Sequence, residues 1–161
     1  MASLKEITAF CDQRTRRAEI PDFPGACNGL QFESRRDIRK LGAAVDAGLV
    51  PFQSAIDQGV DLLIVHHGMF WSPMHPVTGV NFDKVSTLLE GGLALYSSHL
   101  PLDCHPQIGN NVLLAKMLEL QPTDTFLPYE GVDIGLLTEG VSRAELLQRL
   151  HSNFNGKVQS I

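Results

Sequence analysis

A chain of 161 residues, 43% hydrophobic and 19% charged, can bury a sizeable core, which excludes a disordered polar chain. Its net charge of −5, with no basic run, argues against a broad electrostatic surface for nucleic acid, and no apolar run approaches the length of a membrane span. Cys11, Cys27 and Cys104 are widely spaced and form no CxxC pair, which fits reduced thiols in a cytoplasmic protein better than a disulfide framework or a thiolate zinc knuckle.

Ser3-Leu4-Lys5-Glu6 has the form of a capping box, and Leu4, Ile7, Phe10 and Cys11 follow at helical spacing. Arg14, Arg16 and Arg17 close that helix against its dipole and read as a solvated end. From Ile20 to Phe32 the chain is irregular, and Asn28-Gly29-Leu30-Gln31 reads as a turn feeding a short strand. Leu41 to Val45 predicts a strand with Asp46-Ala47-Gly48 as its polar exit. Pro51 then suits the first turn of a helix that carries Phe52, Ala55 and Ile56 and stops at Gly59.

Leu62-Leu63-Ile64-Val65 predicts a strand buried on both faces, and it breaks into His66-His67-Gly68. Ser72 to Gly79 is a Pro-rich loop containing His75, and a helix through Val85, Leu88 and Leu89 ends at Gly91-Gly92. Leu93 to Ser98 predicts another strand that runs into His99, with Asp103 four residues on. Gly109-Asn110-Asn111 opens a helix reaching Leu120, and Gln121 to Gly131 reads as a Pro-containing connection. A strand is expected near Val132 to Leu137, and a second capping box at Ser142–Glu145 precedes Leu146, Leu147 and Leu150. Lys157 to Ile161 looks like the start of a strand. The alternation predicts one α/β domain over residues 1–161. It should have a mostly parallel central sheet flanked by helices, with ligands bound at the carboxyl ends of the strands.

Two of those strand ends deliver histidines. His66, His67, His99 and Asp103 offer imidazole nitrogen and carboxylate oxygen, the ligand set of hydrolytic Zn²⁺, Mn²⁺ or Fe²⁺ sites. Neighbouring residues of an extended strand point to opposite faces, so His66 and His67 are expected to serve two ions side by side more readily than to grip one. The plainer alternative is one core histidine bonded to backbone and one solvated histidine. His75 and His105 read as surface histidines, and Cys104 as a small packed residue. Trp71 is expected either to wall the site with its indole N–H available as a donor, or to pack in the core.

Asn28-Gly29-Leu30-Gln31, Ile64-Val65-His66-His67-Gly68-Met69-Phe70-Trp71 and Ser98-His99-Leu100-Pro101-Leu102-Asp103, followed by Gly109-Asn110-Asn111, resemble the NIF-three-like (YbgI-type) dinuclear metal-centre proteins. These are also labelled type 2 homologues of GTP cyclohydrolase I. The resemblance implies that His66 and His67 each bind one of two divalent ions, that Asp103 is a further ligand, and that His99 is a ligand or orients Asp103. It implies a toroidal hexamer of an α/β fold and a metal-dependent hydrolase with a small-molecule substrate. A non-catalytic metal-binding scaffold or a metal storage and delivery protein is the alternative. The family's further ligands, a histidine and a glutamate one helical turn apart, have no counterpart after His151. The chain is therefore expected to be the N-terminal portion of a longer protein and, alone, to hold metal weakly or singly.

Overall fold

Residues 2–71, 75–155 and 157–160 are described by the computed structural model. The capping box forms as its sequence demands. The Ser3 hydroxyl accepts the Glu6 amide at 3.2 Å and the Glu6 carboxylate accepts the Ser3 amide at 2.7 Å, opening α1 (Leu4–Arg14). Leu4, Ile7 and Cys11 turn inward against buried Ile38, Leu62, Ala94 and Tyr96. Phe10 does not join them; it is 65% exposed, so the apolar stripe is narrower than its spacing predicts. Nor is Arg17 simply solvated. It holds Asp12 at 2.8 Å and donates to the Asn28 carbonyl at 3.1 Å. The buried Tyr96 hydroxyl donates to the same Asp12 carboxylate at 2.9 Å, and burial pushes its phenol well above the usual range.

The chain continues through β1 (Gly29–Phe32), β2 (Leu41–Asp46), α2 (Leu49–Asp57), β3 (Leu62–His67), α3 (Val80–Gly91), β4 (Ala94–Ser97) and the short helix α4 (Leu100–Asp103). The four strands form one sheet in the order β1-β4-β3-β2; β2, β3 and β4 run parallel, and β1 is antiparallel on the β4 edge. Strand residues alternate between faces, and here both faces are covered. Leu63, Val65, Leu93 and Leu95 pack with Phe52 and Leu88 of the two helices, while Leu62, Ala94 and Tyr96 pack toward α1. That is why both strands are readable as unbroken apolar runs. Gly92 ends α3 in the left-handed region (φ 60°), which explains a glycine at that stop.

The chain divides into two compact units, Met1–Pro101 and Leu102–Ile161. The second contains α5 (Asn110–Met117), β5 (Pro122–Tyr129), β6 (Val132–Thr138) and α6 (Arg143–Asn153). The stretch expected to be a Pro-containing connection is thus mostly an eight-residue strand, paired antiparallel with β6 in a sheet of its own. With one partner strand, β5 has an outer edge on which a proline's missing N–H costs nothing, so Pro122 and Pro128 are tolerated. Glu130 and Gly131, both at positive φ, make the two-residue turn that matches the twist of a hairpin. The Ser142 hydroxyl caps α6, and Arg149 ties that helix to the Leu118 and Glu119 carbonyls at 2.6 and 2.7 Å. Residues 157–160 form no strand, and Ile161 lies outside the described residues. No helix among the described residues is long and apolar enough to cross a membrane.

Candidate metal centre

His66 and His67 are the last two residues of β3. That strand pairs with β2 as far as Asp46 opposite His67, but with β4 only as far as Val65 opposite Ser97. His99 follows β4 by two residues. The three rings gather: their centroids lie 4.6 Å (His66–His67), 5.0 Å (His66–His99) and 5.7 Å (His67–His99) apart. One ring nitrogen from each lies within 4.8 Å of the other two. The expectation that the adjacent pair would face opposite ways is therefore corrected. Pairing on the β4 side has stopped at Val65, and with one ladder gone the backbone is no longer held to the pleat on both sides.

Hydrogen bonds on the far side of each ring fix its orientation. His66 Nδ1 meets the Ser98 carbonyl at 3.0 Å, His67 Nδ1 meets Asp46 Oδ1 at 2.7 Å, and His99 Nδ1 meets Asp22 Oδ1 at 2.9 Å. A carbonyl oxygen only accepts, so His66 Nδ1 must carry the proton, and the two carboxylates ask the same of His67 and His99. A neutral imidazole protonated at Nδ1 keeps its lone pair on Nε2. Oxygen acceptors in this position are the usual partners of metal-ligating histidines. Three imidazoles so prepared fit a borderline divalent ion such as Zn²⁺, Mn²⁺ or Fe²⁺.

The N-terminal loop braces this arrangement. Asp22 is nearly buried, its side chain 6% exposed, and it also accepts from Asn28 Nδ2 at 2.7 Å and from the Phe23 and Leu100 amides at 2.7 and 3.0 Å. Burial alone would raise its pKa, but the bonds from Asn28, His99, Phe23 and Leu100 outweigh it and hold the carboxyl below its ordinary value. Asn28 Oδ1 in turn accepts the His99 amide at 2.7 Å. Gln31 holds the chain leaving the histidine pair: its Oε1 accepts the Met69 amide at 2.7 Å while its Nε2 donates to the Cys27 carbonyl at 2.6 Å. A side chain at position 68 would collide with that amide, since a Cβ there would sit 2.3 Å from Gln31 Nε2 and 2.7 Å from Ser97 Oγ. Only glycine fits.

Trp71 does stand beside the histidines, its ring 5.0 Å from that of His99 at an interplanar angle of 86°. Its indole N–H, expected to be available as a donor, instead donates to the Gly68 carbonyl at 3.0 Å and closes its own loop. Asp103 lies in the second compact unit at the end of α4, where it accepts from Asn110 Nδ2 at 2.7 Å. There it lines a cavity of about 240 Å³ with His105, Asn111, Thr125 and Asp133. The three gathered histidines all belong to the first unit. His75 is exposed in its loop, as expected. His105 is not a surface residue: it is 5% exposed, and its Nδ1 accepts the Gln107 and Ile108 amides at 3.1 and 3.2 Å, satisfying a turn ahead of α5.

The sequence reading missed Asp46 and Asp22 as partners of the rings. Asp46 had a usable signal, because two parallel strands that start in register at Leu41 and Leu62 bring Asp46 opposite His67. Asp22 had none, as it sits in an irregular loop 77 residues from its histidine.

The family model for Duf34/NIF3 (NGG1p interacting factor 3) matches residues 2–161. A Deinococcus radiodurans protein named GTP cyclohydrolase 1 type 2 homolog is 37% identical over 131 residues, covering 81% of this chain and 49% of that protein. A Pyrococcus horikoshii protein of the same name is 40% identical over 134 residues, covering 83% of this chain and 53% of its own length. Among solved structures, TTHA1606 from Thermus thermophilus superposes with a TM-score of 0.80 at 39% identity, covering 94% of this chain and 61% of that one. Protein ybgI, described as of unknown function, gives 0.84 at 30% identity over 96% of this chain and 61% of that one. The chain spans about half the length of the curated relatives it matches.

Proposed function

The chain belongs to the Duf34/NIF3 family, and from that premise we propose that it is a divalent-metal-binding protein whose centre serves hydrolysis of a small molecule. The observation that carries this is the matched set of contacts on the three rings: each Nδ1 faces an oxygen acceptor, which favours the tautomer with its lone pair on Nε2. His66, His67 and His99 are the proposed ligands. Asp103, four residues after His99, is the carboxylate that the family resemblance adds, and the same resemblance makes the complete centre dinuclear. A bound divalent ion supplies Lewis-acid activation of water and charge stabilisation.

The chain's own residues do the rest. Asp46 and Asp22 hold the Nδ1 protons of His67 and His99 and so orient the opposite nitrogens as ligands. The Ser98 carbonyl does the same for His66 at lower strength, since it carries no full charge. Gln31 and Gly68 fix where the chain turns away from the pair. The relatives' shared name, GTP cyclohydrolase 1 type 2 homolog, is compatible with a hydrolytic reaction on a nucleotide-like substrate. A homo-oligomer, hexameric by resemblance, belongs to the same proposal.

Elemental analysis after dialysis, with calorimetric titration of Zn²⁺ or Mn²⁺ and a native mass, tests it. At least one ion per chain is expected, with affinity falling at least tenfold in His67→Ala and in Asp103→Ala. Retention of no metal, or equal affinity in both variants and the parent, would overturn the metal reading. Metal uptake with no turnover of nucleotides or phosphoesters, in a protein carrying the relatives' full length, would leave the binding scaffold as the function.

A further inference from the structure

Beside the histidines a second feature is unaccounted for. Met69, Phe70, Trp71 and Val85, with His75 and Asn81, line a recess of about 180 Å³ between the loop after β3 and the start of α3. We propose that this recess binds the uncharged planar heteroaromatic ring of the substrate, holding it one side chain away from the metal centre.

Four observations lead there. The first is size: drug-sized ligands fill pockets of roughly 300–1,000 Å³, so this recess takes a fragment such as a fused ring and leaves the rest of the molecule outside. The second is the lining. Of the seven described residues that line it, Phe70 and Trp71 bring a phenyl and an indole ring, and Trp71 is half-buried. Its ring does not stack on His99 but meets it at 86°, and its N–H is already engaged by Gly68, so what it offers a ligand is apolar surface and π-density rather than a hydrogen bond. Phe70 is held in place by stacking on Phe32, with centroids 6.4 Å apart and planes at 11°.

The third is polarity. None of the described residues that line it carries a carboxylate, ammonium or guanidinium, which disfavours a phosphate or ammonium group inside the recess. The polar groups among the described lining residues are an imidazole and a primary amide, and an amide presents donor and acceptor side by side. That pairing matches the ring-nitrogen and exocyclic-amine edge of a heterocycle better than it matches a hydrocarbon. Among the described residues, Asn81 Nδ2 makes a long, 3.4 Å bond with the Pro76 carbonyl. The fourth is continuity. Trp71 lines the recess and touches His99, so a ring seated there lies next to the proposed centre, with the remainder of the molecule outside the recess. That the ring belongs to a substrate rests on the metal-centre reading; that the recess binds a ring does not.

Trp71 is the single tryptophan of this sequence, so one indole N–H resonance reports on the recess directly. The experiment follows that resonance while guanosine, adenosine or uridine is added to this chain, with and without Zn²⁺; methyl ribofuranoside is the base-free control. Saturable shifts are expected with at least one purine nucleoside and none with the sugar, in both metal states. Val85→Phe, which fills the recess, and Asn81→Asp, which puts a charge in it, should each weaken binding at least fivefold. Either variant suffices if the other fails to fold. No saturable shift with any nucleoside, a shift as large with the sugar, or undiminished binding in a folded variant would overturn the proposal. Binding seen only with Zn²⁺ and unchanged by either variant would place the ring on the ion and overturn it equally. Nucleoside binding in a protein that takes up no metal would sustain the recess while sinking the metal reading.

Discussion

Strands β4 and β5 are both extended, yet all four residues of β4 are buried while seven of the eight in β5 are exposed. β4 is held by side chains: it has a strand on either side and apolar packing above and below. β5 is held by its backbone, through one ladder of hydrogen bonds, a two-residue turn and a few cross-strand contacts. The contrast shows that the same backbone conformation can rest on quite different energetic supports. Isolated hairpins are marginal in water, so β5 and β6 depend on turn and pairing chemistry to a degree that β4 does not.

That contrast can be broken by substitution. The largest effect should come from the first unit's core, where Phe52 is fully buried. Phe52→Ala is expected to cost about 3–5 kcal/mol in denaturant unfolding, whereas Phe126→Ala on β5, 46% exposed, should stay within about 1 kcal/mol. Equal costs would mean that the hairpin is supported by packing after all. Next comes the brace at the histidines. Asp22→Asn strips charge from an acceptor of four hydrogen bonds and should cost about 1–3 kcal/mol, with Zn²⁺ affinity down roughly 10–100-fold. Asp46→Asn, at an exposed site, should weaken Zn²⁺ similarly while leaving the unfolding free energy within about 0.5 kcal/mol. Calorimetry and denaturant curves on the same samples separate the two.

Smaller still is the cap on α6, which has no buried residue. Ser142→Ala should cost about 1 kcal/mol, read as faster hydrogen exchange in that helix with the first unit's sheet unchanged. The smallest effect concerns acid. The Arg39 amide, with the Lys40 amide beside it, holds the Asp61 carboxyl below its ordinary value at 2.9 Å each. A depressed pKa gives stability that is complete above the unfolded value, near 4, and lost as pH falls through the folded one. Asp61→Asn should therefore flatten the acid limb of the stability curve, by less than about 1 kcal/mol because the group is only partly buried and solvent screens it. A parent curve that is already flat there would remove the effect.

The same contrast explains what was legible. β3 and β4 announced themselves because burial on both faces writes an uninterrupted apolar run, and α1 because Ser3 and Glu6 sit at capping distance in the sequence. Pro122-Thr123-Asp124-Thr125 carries no such record, since those positions are exposed and burial does not select apolar side chains there. At the candidate centre the histidines were visible as residues, but their neighbours were not. The Nδ1 partners came from a strand exit, a backbone carbonyl and a loop aspartate, none of which has a spacing rule. His105 was misread for a related reason: its burial comes from serving backbone amides in a turn, a role that leaves no periodicity.

The brace on His99 also has a consequence in time. Asp22, Asn28 and Gln31 are made well before His99, the histidine that Asp22 holds, which lies 77 residues after it. At roughly 5–20 residues per second, a nascent chain would carry that aspartate for about 4–15 s before its partner had been synthesised. Through that interval the loop has no ring to orient, and the His66–His67 pair, made only in its second half, has no third member. Competence to bind an ion of the proposed kind would then switch on in one step, when residues 94–100 pair against β3 and meet a brace made 77 residues earlier.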